Sequence, residues 1–263
     1  MRIGVIGCGA IGSVLCRFIE EELDDSELAA ICDVDKEKVS KLADSLKSKL
    51  LVTDIDDLID KSDLIVEAVG TGIVKELMEK CIENKKHLMI MSVGGIIQNM
   101  DLLPKLNSRL FIPSGAICGV DGVKAANIED IGSAVITSTK SPKSLEGAPY
   151  ILENNINLNE IKEKTTIFEG NALEAIKGFP KNVNVSAVLS LAGIGAIKTK
   201  VKVVVDPNIK RNMHELEVVG TFGKLYTKTE NVLSPLNPKT SHMAVLSACA
   251  TLRRLTGFVK IGN

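Results

Sequence analysis

The sequence predicts an α/β chain, with a doubly wound parallel sheet and a second α+β domain built on a mostly antiparallel sheet. Three observations predict it. The chain opens on an apolar run that breaks into Gly7, Gly9 and Gly12. Apolar runs then alternate with helix-period segments as far as Pro113, as the βα units of a parallel sheet do. Beyond Pro113 the alternation stops, and segments of period-two hydrophobicity follow, the pattern of half-exposed antiparallel strands.

The opening apolar run reads as the first strand and residues 13–23 as its helix, with Val14, Leu15, Phe18, Ile19 and Leu23 on one face. Between them, G-x-G-x-x-G has the spacing of a Rossmann-type phosphate turn. Gly7 permits the turn, Gly9 lets backbone approach a pyrophosphate, and Gly12 lets helix and strand pack closely. Anions are favoured at that helix start by its unpaired N–H groups and its dipole. The motif alone is weak, so its context matters: a second strand at 28–32 ends in Asp33, the acid expected on a ribose hydroxyl about 20 residues on. Gly7, Gly9, Ala10, Ile11, Gly12 and Asp33 are therefore candidate dinucleotide contacts.

Residues 36–46 follow as helix and 51–53 as a short strand. The run DLIVEAV at 63–69 has the apolar continuity of a strand buried on both faces. Gly70, Thr71 and Gly72 end it before a helix at 73–84, a second glycine junction that adds Gly70 to the cofactor residues. The strand from His87 closes at Ser92, Gly94 and Gly95, and His87 itself reads as a surface residue without a role. Residues 102–106 read as helix and 110–113 as a sixth strand. The small-residue turn 114–119, ahead of a helix to about residue 128, suits a domain crossing beside a ligand. Strands are expected at 131–139 and 198–205, a hairpin at 215–220 and 224–229, and helices at 172–176 and 183–191. A last helix at 242–255 is expected to pack back on the first domain. The expected domains are 1–113 plus 240–263 for the dinucleotide, and 114–239 for substrate, catalysis and oligomerisation.

With 263 residues, 45% of them hydrophobic, and a net charge of −1, the chain can bury a sizeable core. It has no basic run and few aromatics, six Phe and two Tyr, which argues against nucleic acid and membrane surfaces as partners. Six scattered cysteines without a C-x-x-C pair argue against a zinc site and a secreted disulfide framework, and no metal is expected. A cytoplasmic setting is expected, with the opening apolar run read as mature structure and not as a signal peptide.

Three clusters could carry chemistry. In GFPKNVNVSA, Asn182 or Asn184 could cap a helix, or with Lys181 could hold a nicotinamide carboxamide or a substrate carboxylate; both readings stand open. His214 lies in NMHELEVVG at a strand start. It reads either as a half-exposed strand residue or as the group that takes a proton near neutral pH, with His242 as second candidate. In NPKTS, Asn237, Thr240 or Ser241 could cap the last helix, while Lys239 could clamp an acidic substrate, with Arg211 in reserve.

The stretches IGCGAIG, PSGAICGVDG, EGNALEAIKGFPKNVNVSAVLSLAG, NMHELEVVG and NPKTS, in that order along the chain, resemble the L-aspartate dehydrogenase family. The resemblance implies a catalytic role for His214, dinucleotide contacts at Ala116 and Asn184, and oxidation of L-aspartate to iminoaspartate. NAD is the implied cofactor, with NADP as a second. Cys118 departs from the smaller residue of relatives. A homodimer is the expected assembly. Two rivals are a homoserine dehydrogenase or dihydrodipicolinate reductase type of enzyme, and a non-catalytic dinucleotide sensor.

Overall fold

The computed structural model describes residues 1–48, 51–52, 54–180, 184–234 and 237–262, with the side chains of 51, 52 and 237–240 outside the description. The chain divides into one unit of Met1–Pro113 with Val245–Ile261 and a second of Ser114–Ala244 with Gly262–Asn263.

In the first unit β1 (Arg2–Ile6), α1 (Ala10–Glu22), β2 (Glu27–Cys32), α2 (Lys36–Ser45), β3 (Leu51–Val52), α3 (Ile55–Lys61), β4 (Leu64–Glu67), α4 (Thr71–Glu83), β5 (His87–Ile90), α5 (Gly94–Ile97) and β6 (Leu110–Phe111) alternate along the chain. The strands form one parallel sheet in the order β3-β2-β1-β4-β5-β6. That is the doubly wound order, and it reverses between β1 and β4, where such sheets bind ligands beyond the carboxyl ends of the strands. The apolar continuity of the central strands has the expected cause, since Ile3, Val5, Leu64, Ile65 and Val66 are all buried. Asp35 and Asp54 cap α2 and α3 by accepting backbone N–H bonds from the first turn. The helix expected at 102–106 is instead the 3₁₀ segment Met100–Lys105, which holds Pro104; a prolyl nitrogen cannot donate to an α-helical ladder.

The second unit runs α6 (Val120–Ala126), β7 (Ile131–Lys140), α7 (Pro142–Leu145), α8 (Pro149–Glu153), β8 (Thr165–Asn171), α9 (Ala172–Gly178), α10 (Asn184–Ala192), β9 (Lys200–Val205), β10 (Asn212–Gly220) and β11 (Gly223–Asn231). Its sheet has the order β11-β10-β7-β9-β8. The pairings are antiparallel except β7 with β9, so the sheet is mixed. Gly220 pairs with Gly223 across a two-residue turn, and Gly223 takes φ +114°, a conformation open to glycine. Tyr150, Phe168 and Phe179 form an aromatic cluster, with ring centroids 5.2–5.6 Å apart. Phe179, read from the sequence as part of a helix break, is the fully buried residue that follows α9.

The NPKTS segment, expected to precede the last helix as a cap or an anion clamp, is itself extended. It forms β13 (Asn237–Ser241), paired antiparallel with β12 (Leu233–Ser234). The helix α11 (His242–Thr256) starts directly after it. Within the first unit, Ala248, Cys249 and Leu252 of α11 join a cluster with Leu15, Cys16, Ile19 and Leu23. At the rim Arg253 pairs with Glu22 at 2.9 Å and lies 5.0 Å over the Phe18 ring. Among the described residues no helix is long and apolar enough to cross a membrane.

Candidate active site

The turn between β1 and α1 is held by short bonds. The Gly7 N–H donates to the Cys32 carbonyl at 2.7 Å, and the Cys8 N–H to Asp33 Oδ2 at 2.7 Å. Gly7 has φ +104°, and a Cβ there would lie 2.6 Å from the Ala68 carbonyl. A Cβ on Gly12 would fall 1.7 Å from the Gly7 oxygen. Close approach is thus required at both positions. Gly9 is different, because a Cβ there would meet nothing within 4 Å, leaving open space over the start of α1. Ala10 and Ile11 form the first turn of that helix, whose leading N–H groups lack intrahelical acceptors. This open, donor-rich helix start fits a dinucleotide phosphate. Asp33 is half-buried, and its Oδ1 also accepts from the Asp35 N–H at 2.9 Å. Lone pairs remain on both oxygens for a ribose hydroxyl.

A carboxylate that the sequence reading passed over organises the second junction. Glu67, fully buried at the end of β4, accepts through Oε1 from the N–H groups of Val69 (2.7 Å) and Gly70 (2.8 Å) and from Ser92 Oγ (2.9 Å). Its Oε2 accepts from the Ser92 N–H at 2.9 Å. One side chain therefore fixes the ends of both β4 and β5. A Cβ on Gly70 or Gly72 would also meet nothing within 4 Å, so this junction presents open backbone like the first. The signal was a lone Glu inside an otherwise apolar run, since a buried carboxylate must be saturated with donors.

In the second unit, β10 places His214 opposite Ser138 of β7 and Thr229 of β11. The bland reading of a half-exposed strand histidine is overturned: His214 is 2% exposed, and its Nδ1 lies 2.9 Å from Ser138 Oγ. Lys140, two residues beyond Ser138, is 4% exposed, and Asn212, two before His214, is 2% exposed. Burial pulls the Lys140 ammonium down to about 8. Burial first, and the Lys140 cation second, pull His214 down to about 3. The imidazole is accordingly neutral across the physiological range. On β11, Thr229 Oγ1 and Asn231 Nδ2 donate to the Ala116 carbonyl at 2.9 and 3.0 Å. The small-residue turn that holds Ala116 is thereby tied to the strand that faces His214.

Asn184 opens α10, while Lys181 and Asn182 lie outside the described residues. Lys239 and Thr240 are on β13, with their side chains outside the description. Ser241, also on β13, is buried, and Arg211 is exposed. His242 is the first residue of α11, with a buried Nδ1 that has no partner among the described residues. His87 accepts from the Arg109 N–H at 3.2 Å and meets Phe111 edge-on. Cys8, Cys16, Cys32, Cys81 and Cys249 are buried free thiols and Cys118 is exposed. Burial, then the Asp33 charge, pushes the Cys8 thiol up to about 12. Among the described residues no group of three His, Cys, Asp or Glu side chains could hold a metal ion.

Comparison with known proteins matches residues 121–255 to a family model described as "Aspartate dehydrogenase, C-terminal" and residues 7–109 to "Homoserine dehydrogenase, NAD binding domain". The L-aspartate dehydrogenase of Methanosarcina mazei is 43% identical over 270 positions, covering all of both chains. That of Methanocella arvoryzae is 46% identical over 269 positions, covering all of this chain and 99% of the relative. The crystal structure of an aspartate dehydrogenase from Thermotoga maritima superposes with a TM-score of 0.77 at 26% identity, covering 100% of this chain and 99% of the other. The match runs over the whole length of the chain, and the chain belongs to the L-aspartate dehydrogenase family.

Proposed function

We propose that this chain oxidises L-aspartate to iminoaspartate with NAD⁺, the first unit holding the dinucleotide and the second the amino acid. The observation that carries the reading is the buried, neutral His214 hydrogen-bonded to Ser138 on the covered face of the second sheet. Bound NAD⁺ supplies the acceptor for the hydride that leaves Cα. His214 supplies the proton acceptor. The amine nitrogen must lose its ammonium proton before its lone pair can form the C=N bond, and a neutral imidazole can take it. That role requires the proton of the free imidazole to sit on Nδ1, with Ser138 Oγ accepting, so that the Nε2 lone pair faces substrate. Released iminoaspartate hydrolyses to oxaloacetate and ammonia, or passes to NAD biosynthesis.

The glycine turn supports phosphate binding by Gly7, Gly9, Ala10, Ile11 and Gly12, ribose binding by Asp33, and a second backbone contact at Gly70. Ala116 and Asn184 are proposed as further dinucleotide contacts, and Asn182, Thr240 and Ser241 as substrate-side polar groups. The outer face of the second sheet carries Glu217 paired with Lys224 at 2.7 Å and Glu215 bonded to Tyr226 at 2.7 Å. This mixed-charge face supports the proposed homodimer, since a two-fold axis brings like patches together. Its free thiols support a reducing, cytoplasmic setting.

The test is His214→Asn, followed by absorbance at 340 nm with L-aspartate. The expected result is a fall in kcat of roughly 10²–10⁴ with NAD⁺ binding preserved. Near wild-type kcat would remove His214 from the reaction.

A further inference from the structure

Among the described residues the protein provides no anion for Lys140. Side chains alternate along a strand, so Ser138 and Lys140 of β7 share one face of the sheet with Asn212 and His214 of β10. Farther along that face lie Ala134, Ile136, Leu216 and Val218, all buried and apolar. At its polar end Lys140 is 4% exposed, and among the described residues no carboxylate pairs with its Nζ. Beside it the Nδ2 of Asn212 is buried without a hydrogen-bond partner among the described residues. An unpaired ammonium and an unmet amide donor are each costly when removed from water. Side by side, a cationic donor and a neutral one are complementary to a single ligand chemistry, an anionic oxygen pair.

Resting on the reading of L-aspartate as substrate, we infer that Lys140 anchors a substrate carboxylate at this end of the sheet, with Asn212 Nδ2 donating to the same group. This anchor is distinct from the lysines of the two sequence clusters, Lys181 and Lys239. The arrangement also explains why so polar an end of a strand is covered: the substrate completes the ion pair that the folded chain leaves open. A carboxylate docked on Lys140 further offsets the cation whose field disfavours the imidazolium of His214, so the acid that binds also prepares the base.

The experiment uses the full chain with Lys140→Met, Lys140→Arg and Asn212→Ala, and with Lys181→Met and Lys239→Met for comparison. Steady-state kinetics give KM for L-aspartate and for NAD⁺, and calorimetry gives Kd for succinate, a dicarboxylate that cannot be oxidised at an amine. Lys140→Met is expected to raise both the aspartate KM and the succinate Kd about 30-fold or more, the effect of truncating one partner of a buried charge pair. NAD⁺ affinity stays constant, and Tm does not fall, because an uncompensated buried charge has been removed. Lys140→Arg recovers part of the loss, and Asn212→Ala raises both constants about tenfold, the weight of one hydrogen bond to a charged group. Unchanged constants in Lys140→Met overturn the inference. So does a fall in kcat at constant KM, which makes Lys140 a proton-transfer group, or a rise found only in Lys181→Met or Lys239→Met. Lys140-dependent succinate binding in a wild-type protein that does not oxidise aspartate would uphold the anchor while refuting the activity.

Discussion

Replacing Glu67 by Gln changes one atom of a buried side chain and tests whether a single carboxylate organises the second glycine junction. In the native chain Oε1 receives three donors and Oε2 one, at 2.7–2.9 Å. A glutamine oxygen in the Oε1 position keeps the bonds to Val69, Gly70 and Ser92 Oγ but loses their charge assistance. Its amide nitrogen then faces the Ser92 N–H, donor against donor. Orphaning that N–H costs about 1–3 kcal/mol, and each of the three weakened bonds loses about 1 kcal/mol. Part of this is recovered because a neutral amide is cheaper to bury than a carboxylate, leaving a net loss of about 2–4 kcal/mol. For a chain of this size that lowers Tm by roughly 4–16 °C. The assay is a thermal melt followed by circular dichroism, together with titration of NADH fluorescence. Affinity for NADH is expected to fall as well, since the Gly70 N–H is one of the groups whose hold is weakened. A Tm within 1 °C of wild type, with unchanged NADH affinity, would refute the idea that this carboxylate sets the junction.

Two further outcomes follow from the charges. The catalytic efficiency kcat/KM is expected to favour NAD⁺ over NADP⁺, because the Asp33 carboxylate, proposed here to bind the ribose, would repel a 2′-phosphate, while Lys38 is already paired with Asp35 at 3.0 Å; a preference for NADP⁺ would refute it. Stability should depend on pH at two separate places. His214 has a folded pKa of about 3 against 6.5 when free, so its contribution is complete above pH 6.5 and is lost as pH falls toward 3, by up to about 5 kcal/mol. Lys140 is depressed from 10.5 to about 8, so stability rises between pH 8 and 10.5 by up to about 3 kcal/mol. Urea melts across the range read both, and a flat profile, or an acid slope unchanged in His214→Asn, would refute the assignment.

The α/β class, the parallel first sheet and the antiparallel hairpin at Gly220–Gly223 were legible because each is written in a short span of sequence. Gly7, Gly12 and Asp33 fall within one βαβ unit, so their spacing carries their geometry. Glu67 was visible only as an exception within LIVEAV, and its partner Ser92 lies 25 residues on. Ser138 and His214 are 76 residues apart, and only the register of β7 against β10 brings them together. Lys140, at the end of ITSTK, has the local pattern of a solvent-facing lysine; nothing within the strand signals its burial. The extended backbone of NPKTS was hidden for a related reason, because its strand pairing with β12 is set by residues outside the motif. Local preference yields wherever a long-range partner is available.

The path of the chain through the first unit has a consequence for how the protein is made. Its sheet is complete by Phe111, yet the hydrophobic stripe of α1, with Leu15, Cys16, Ile19 and Leu23, receives part of its cover only from Ala248, Cys249 and Leu252. More than a hundred residues of the second unit are synthesised in between, on the order of ten seconds at ribosomal speed. Throughout that interval the nascent first unit shows an uncovered apolar stripe, the kind of surface through which incomplete folds aggregate. Completion of the first unit's core therefore waits for α11 although most of its residues emerge first, because the second unit is inserted in the sequence between them.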